Sequence, residues 1–294
     1  MMGMKRVLLL GASGQLGNLV KNTVPVSMHL KALSRADLDL TDRLAVSQAV
    51  QEYAPAVIIN TAAYTQVDKA EAEEKQAFEI NATAVEHLAA TVSLDTRIIH
   101  LSTDFVFSEH QKQPYKPDAA PLPVSVYGRS KLAGESALLA ADNVHSIILR
   151  TSWLYSAMGR NFVTTMIGLL NTREELVVVN DQFGSPTSAV GLANVIWRFV
   201  MEDTANGVYH WSDQGVITWY DFAREIQSQG LELGILDREI PIKPVPTSGY
   251  PTPAARRPFY SALDSSATEA VLGIRTTPWQ EPLRKVLEKL KETQ

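Results

Sequence analysis

Cysteine is absent from the 294-residue chain, which removes thiolate nucleophiles, disulfide frameworks, iron–sulfur clusters and cysteine-ligated zinc. An excess of positive charge is missing too: 27 Lys and Arg stand against 32 Asp and Glu, a net charge of -5. That balance offers no attraction to a phosphate polymer or an anionic lipid surface, so neither nucleic acid nor membrane is expected as a partner. Long apolar runs are lacking as well. Lys5 and Arg6 lead into an apolar stretch that Gly11 stops after four residues, short of the roughly 7 to 15 residues of a signal-peptide core. No later run approaches the roughly 20 residues of a membrane span. The six histidines include no pair at the i, i+4 spacing of a helical zinc site, and neither a G-x-S-x-G elbow nor a G-x-x-x-x-G-K-[ST] loop occurs. A cytoplasmic protein is expected.

What is present is ordinary for a folded protein: 45% hydrophobic and 20% charged residues. Short β-rich apolar runs alternate with helical patterns through the first half. Arg6–Leu10, Leu30–Leu33, Ala56–Asn60, Arg97–Leu101 and Ser146–Leu149 read as strands, and Asp42 caps a helix through Val50. Further helices are expected over about Ala72–Val92 and Tyr127–Ala141. Strands that are continuously apolar instead of alternating indicate a parallel sheet covered on both faces, so the fold class is α/β, a doubly wound Rossmann sheet. Residues 1–150 are expected to form the dinucleotide-binding domain. Residues 151–294 are expected to form mostly a smaller mixed substrate lobe, with some segments returning to the core. It holds helices over Asn161–Leu170, Ser188–Met201 and Gln280–Leu290, and strand-like pieces at Leu176–Val179 and Gly207–Trp211. Pro241–Pro258 carries six of the fifteen prolines and reads as an extended loop or linker without regular structure.

Gly11, Gly14 and Gly17 follow the first strand. A tight turn, close approach of backbone to a pyrophosphate and close helix packing all need missing side chains there, and the free N–H groups of the next helix bind phosphate. Near the end of the second strand a carboxylate would bond the adenosine ribose and repel a 2'-phosphate. Ser34 and Arg35 stand there instead, which favours NADPH, with NADH as the alternative. Tyr127 and Lys131 are four apart and share one helix face. A neighbouring ammonium is expected to lower the tyrosine pKa and make its phenol a better acid for a developing alkoxide. Thr103, at the end of the fourth strand, can hydrogen-bond a substrate oxygen or cap a turn.

These motifs, together with Asn60–Asp68, Ser102–Phe107, Tyr127–Glu135 and Arg150–Tyr155, resemble the extended short-chain dehydrogenase/reductase superfamily. Asp181–Thr187, Ile217–Ala223 and Arg257–Ser261 narrow the likeness to the dTDP-4-dehydrorhamnose reductase family. The resemblance implies hydride transfer from NADPH to the C4 ketone of a dTDP-linked 4-keto-6-deoxy sugar. It implies that Tyr127 protonates the C4 oxygen, that Lys131 holds the nicotinamide ribose and tunes Tyr127, and that Thr103 orients the ketone. It further implies that Asp104 and Trp153 contact the sugar nucleotide, and that Gly14, Gln15, Leu16, Asp39, Leu40, Ala62, Ala63 and Tyr64 contact the cofactor. For Trp153 a plain core aromatic is the alternative. Some members of the family bind magnesium through glutamates at a dimer interface. The matching positions here are Leu19 and Val190, neither of which can ligate a hard cation, so no metal is expected and a homodimer is left open. Arg256 and Arg257 could meet a diphosphate or form a salt-bridged loop pair. A dehydratase or epimerase is the enzymatic alternative, with Phe105 where the dehydratases carry Glu. A regulatory subunit resembling that of methionine adenosyltransferase is the non-catalytic alternative.

Overall fold

The computed structural model describes residues 4–108, 111–141, 145–250 and 255–293. In the first half the elements are β1 (Lys5–Leu10), α1 (Gln15–Asn22), β2 (Met28–Leu33), α2 (Arg43–Tyr53), β3 (Val57–Asn60), α3 (Val67–Ala70), α4 (Glu74–Phe78), a π-helical turn (Glu79–Thr83), α5 (Ala84–Thr91), β4 (Arg97–Thr103), a short 3-10 turn (Asp104–Val106), α6 (Val126–Leu139) and β5 (His145–Thr151). The second half follows with β6 (Leu154–Tyr155), α7 (Phe162–Thr172), β7 (Leu176–Val179), β8 (Phe183–Gly184), β9 (Thr187–Ser188), α8 (Ala189–Met201), β10 (Gly207–His210), β11 (Ile217–Thr218), α9 (Trp219–Glu232), β12 (Ile242–Val245), α10 (Ser266–Leu272) and α11 (Gln280–Glu292).

Six strands form one all-parallel sheet in the order β10-β5-β4-β3-β1-β2. The α/β doubly wound class expected from the sequence is what the chain adopts. The continuous apolar runs are explained by two-sided burial. Val7 and Leu9 of β1 point into a core shared with Leu16 and Val20 of α1 and with α8, while Leu8 and Leu10 point into the opposite core, under α2, α5 and α6. Strand periodicity sends successive side chains to opposite faces, so a strand covered on both sides must be apolar at every position. The sheet order reverses at β1, between β2 and β3, which opens a crevice at the carboxyl ends of the strands.

A third apolar cluster lies in the second half, with Tyr155, Met166, Phe222, Ile226, Trp279 and Leu283 among its buried members. Not all of the second half belongs to it. β10 pairs with β5 in the main sheet, and α8 packs on that sheet beside α1.

Two expectations need correction. The helical pattern over Ala72–Val92 is not one helix: it passes through the π-helical turn, where Asn81 is buried and its carbonyl lies where a side chain at Gly134 of α6 would stand. Such a single turn inserts one residue with no Gly or Pro to mark it, and so escapes a reading by breakers and caps. The proline-rich stretch, in turn, contains a regular strand, β12, with Pro244 opposite Val178 of β7. A proline is tolerated there because β12 pairs along one edge only. Pro251 and Pro253 lie outside the described residues.

Candidate active site

The crevice at the switch point is an elongated cleft of about 600 Å³, within the range of small-molecule sites. Every residue singled out for the cofactor, the substrate or the chemistry lines it, except Tyr64 and the two arginines Arg256 and Arg257. Tyr64 is buried in a small cluster with Ala70, Ala77 and Val126, and its hydroxyl donates to Glu73 Oε2 at 2.7 Å. Its side chain is therefore engaged elsewhere.

At one end of the cleft the glycine turn joins β1 to α1. Gly11 has φ +79°, and a Cβ on it would lie 2.6 Å from the backbone nitrogen of Ala62. A side chain on Gly17 would collide with the Gly11 carbonyl. Gly14 is the extended residue that starts α1, and no side chain caps that helix, so its first N–H groups face the cleft uncapped. The turn thus has the room and the donors that a pyrophosphate needs. Arg35 is exposed at the neighbouring corner and makes no ion pair among the described residues. Ser34 is less free than its sequence position suggests: its N–H and hydroxyl both donate to Asp37 Oδ2, at 2.8 and 2.6 Å. Asp39 also lines this corner, its Oδ1 accepting from the backbone and hydroxyl of Thr41. Two carboxylates held by local hydroxyls therefore stand near Arg35: Asp39, which the resemblance already implied as a cofactor contact, and Asp37, which the reading of the strand end did not single out.

The other end of the cleft carries Thr103, Tyr127 and Lys131. Ser125 caps α6, accepting from the backbone of Gly128 at 3.1 Å, and the helix then presents Tyr127 and Lys131 one turn apart. Phe105 packs edge-on against the Tyr127 ring, with centroids 5.5 Å apart. Burial pushes the Tyr127 phenol up to about 12, against a hydrogen bond with Thr103 that lowers it, and the nearby Asp104 adds to the rise. This corrects the expectation of a tyrosine acidified by Lys131. The Lys131 ammonium, 2% exposed, points instead to the Leu101 carbonyl at 2.7 Å and to Nε2 of His100 at 3.2 Å. Its own pKa is lowered to about 8, chiefly by burial, with Glu135 opposing.

Of the two roles open to Thr103 in the sequence, the structure shows the cap. Its hydroxyl accepts from the Phe105 N–H at 3.2 Å, capping the 3-10 turn, and donates to Asp104 Oδ1 at 3.1 Å. Asp104 is buried, and its carboxyl is raised to about 7 by desolvation even though Ser261 donates to Oδ2 at 2.6 Å. Trp153 is half-buried and lines the cleft; it takes the left-handed conformation, φ 45°, and stacks on Trp219 with centroids 3.5 Å apart. The ring occupies the space a side chain on Gly184 would need, at 2.6 Å from a Cβ there. The contacts of Trp219, Ser261 and His100 had no local sequence signal, since their partners lie far along the chain. Arg160, also at the cleft, was missed for the same reason. Arg257 binds Asp68 bidentately, at 2.9 and 3.1 Å, and is committed as an ion pair, whereas Arg256 is exposed. Leu19 packs against the sheet core, and Val190 is 43% exposed at the start of α8.

A parallel sheet with a glycine turn at its switch point, and Tyr127 and Lys131 on one helix at the same cleft, define a Rossmann-fold protein of the extended short-chain dehydrogenase/reductase class. The chain belongs to the RmlD substrate binding domain family, whose profile matches residues 4–292. It is 39% identical to a dTDP-4-dehydrorhamnose reductase of Sinorhizobium fredii, over 96% of each chain. It is 42% identical to a dTDP-4-keto-6-deoxy-D-glucose reductase of Streptomyces niveus, over 74% of this chain and 76% of that one. Among solved structures it is similar to a dTDP-4-dehydrorhamnose reductase of Bacillus anthracis in complex with NADP, with a TM-score of 0.90 and 35% identity over 97% of this chain and 99% of that one.

Proposed function

We propose that the protein reduces the C4 ketone of dTDP-4-dehydro-L-rhamnose to dTDP-L-rhamnose with NADPH. The observation that carries the reading is the convergence in one cleft of an uncapped helix start and Arg35 at one end with Thr103, Tyr127 and Lys131 at the other. The named relatives and the NADP complex of the Bacillus anthracis enzyme support it. Residues 1–150 would hold most of the cofactor and residues 151–294 most of the sugar nucleotide.

When bound, NADPH supplies the hydride that goes to C4. The residues supply the rest. Backbone N–H groups after Gly14 and the side chain of Gln15 would hold the pyrophosphate, Arg35 would meet the 2'-phosphate, and Leu16, Asp39, Leu40, Ala62 and Ala63 would shape the walls. Thr103 orients the ketone oxygen by hydrogen bonding. Tyr127, with a pKa pushed up to about 12, keeps its proton at neutral pH and yields it only to a strongly basic oxygen, which is the alkoxide formed as hydride arrives. The proton passes from the Tyr127 hydroxyl to the C4 oxygen, and bulk solvent later restores it. Lys131 would fix the ribose beside Tyr127, while Asp104 and Trp153 would flank the sugar nucleotide.

The test is NADPH oxidation by the purified protein with freshly generated dTDP-4-dehydro-L-rhamnose. Tyr127→Phe should lower kcat by roughly 10²- to 10⁴-fold while dinucleotide binding persists. Turnover that survives in Tyr127→Phe would remove this residue as proton donor. A second reading is favoured by the Streptomyces niveus relative: the substrate could be the D-gluco epimer of the ketosugar. NMR of the product and competition between the two ketosugars separate them, and running NADH alongside measures the selectivity that Arg35 supplies.

A further inference from the structure

Behind Lys131, away from the cleft, lies a chain of hydrogen bonds that the reaction scheme above does not use. The backbone N–H of Ala62 donates to Asn60 Oδ1 at 3.1 Å. That bond fixes the amide, because only its oxygen can accept from a backbone N–H, and it leaves Nδ2 facing Nδ1 of His100 at 3.1 Å. Nδ2 is a donor and nothing else, so His100 Nδ1 is the acceptor. His100 is fully buried, and desolvation together with the adjacent Lys131 holds its pKa well below the usual imidazole range. A neutral imidazole carries one proton, and with Nδ1 accepting, that proton sits on Nε2. Nε2 is the atom 3.2 Å from Lys131 Nζ. Two donors therefore confront each other whenever Lys131 is an ammonium, and a proper hydrogen bond, Nε2–H to an amine lone pair, forms only when Lys131 is neutral.

We propose that His100, locked by Asn60 into the Nε2–H tautomer, is a positioning residue that disfavours the charged form of Lys131 and thereby sets the upper pH limit of activity. The charged groups around Lys131 bear this out. Glu135, one turn further along α6, favours the ammonium, but its carboxylate is already taken by Arg150 of β5, at 2.6 Å, and by Ser102 of β4, at 2.5 Å. Tyr127 and Asp104 lie on the cleft side. Among the described residues no charged group of α3, α4, the π-helical turn or α5 is within hydrogen-bonding distance of Nζ. The Leu101 carbonyl accepts from either form of Lys131. Among the described residues His100 is thus the one partner that distinguishes the amine from the ammonium by its hydrogen bond.

The inference about pH rests on the reductase reading, so the experiment has an arm that does not. In ¹⁵N-histidine-labelled protein without substrate, His100 should show a protonated Nε2 and an acceptor-type Nδ1, and its Nε2 signal should shift as Lys131 titrates near pH 8. Lys131→Met should abolish that shift, and Asn60→Asp, which accepts where Asn60 donates, should move the proton to Nδ1. In the activity arm, the alkaline limb of kcat/KM should move up by about one pH unit in His100→Gln, whose carbonyl can accept from the ammonium without adding charge. That is about tenfold more kcat/KM on the alkaline side. A residue that merely fills space would lower activity without moving the limb. A proton on Nδ1 in the unmodified protein, or a limb that stays in place in both His100→Gln and Asn60→Asp, overturns the proposal. Absence of turnover with the expected substrate counts against the reductase reading alone, because the ¹⁵N tautomer and its titration are read without it.

Discussion

Asp104 shows what a single side chain in this cleft costs the fold. Its carboxyl is raised from 3.8 to about 7 because it is desolvated, and the hydroxyls of Ser261 and Thr103 offset only part of that. A carboxyl with a raised folded-state pKa favours the fold while neutral. Its contribution is complete below about pH 4 and is lost as the pH climbs through about 7. Asp104→Asn stays neutral throughout, so its melting temperature should fall less than that of the parent between about pH 5 and about pH 8. The remaining fall belongs partly to Asp213, a second buried carboxyl raised to about 7. The same variant should bind the sugar nucleotide more weakly. Thermal melts at the two pH values decide the first point, and an equal fall in both proteins would mean that Asp104 is already ionised at the lower pH. Trp153 is strained in a comparable way. Its left-handed backbone costs roughly 1–2 kcal/mol, and the stack on Trp219 holds it in place.

Helix α6 carries Tyr127 and Lys131, and its position depends on two glycines. Gly128 lets the carbonyl of Phe105 approach, and Gly134 does the same for the carbonyl of Asn81 in the π-helical turn. Asn81 uses its side chain to bind the backbone of Tyr64 on both sides and the hydroxyl of Ser130 on α6. Gly134→Ala should therefore push α6 off this support, with a loss of roughly 1–3 kcal/mol in urea unfolding and a fall in kcat, although residue 134 touches neither substrate nor cofactor. Unchanged unfolding would show that the π-helical turn yields without cost. What could be read from the sequence follows the same division. Tyr127 and Lys131 share a face because helix spacing is local, and the main strands were visible because burial on both faces makes them continuously apolar. The direction of the Lys131 ammonium was not visible, since Leu101 and His100 lie on β4, 30 and 31 residues earlier in the chain. Nor was the engagement of Tyr64 with Glu73, or the stack of Trp153 on Trp219. Each is fixed by packing between elements that local spacing does not relate.

At the scale of the whole molecule, the sheet joins the two halves of the chain. β10 arrives from the second half to pair with β5, and the Glu135–Arg150 pair, with side chains 1% and 4% exposed, ties α6 to β5 underneath the cleft. Arg150 also faces His210 of β10 at 3.4 Å. Heating should accordingly give one cooperative transition. NADPH at roughly 100 times its dissociation constant should add about 2.7 kcal/mol and raise the midpoint of that whole transition by roughly 4 °C or more. Calorimetry with and without the dinucleotide measures this, and two transitions of which only the first moves would show that the halves melt independently.

The late arrival of β10 also bears on how the chain is made. A ribosome releases β1 to β5 in order, yet the strand that covers the outer edge of β5 follows only after α7, β7 and α8. At roughly 5 to 20 residues per second the interval lasts roughly 3 to 12 s. During it β5 presents an unpaired, strongly apolar edge to its surroundings, the kind of edge through which nascent chains join one another. The period of greatest exposure to misassembly thus falls in the middle of synthesis and ends when Gly207–His210 emerges.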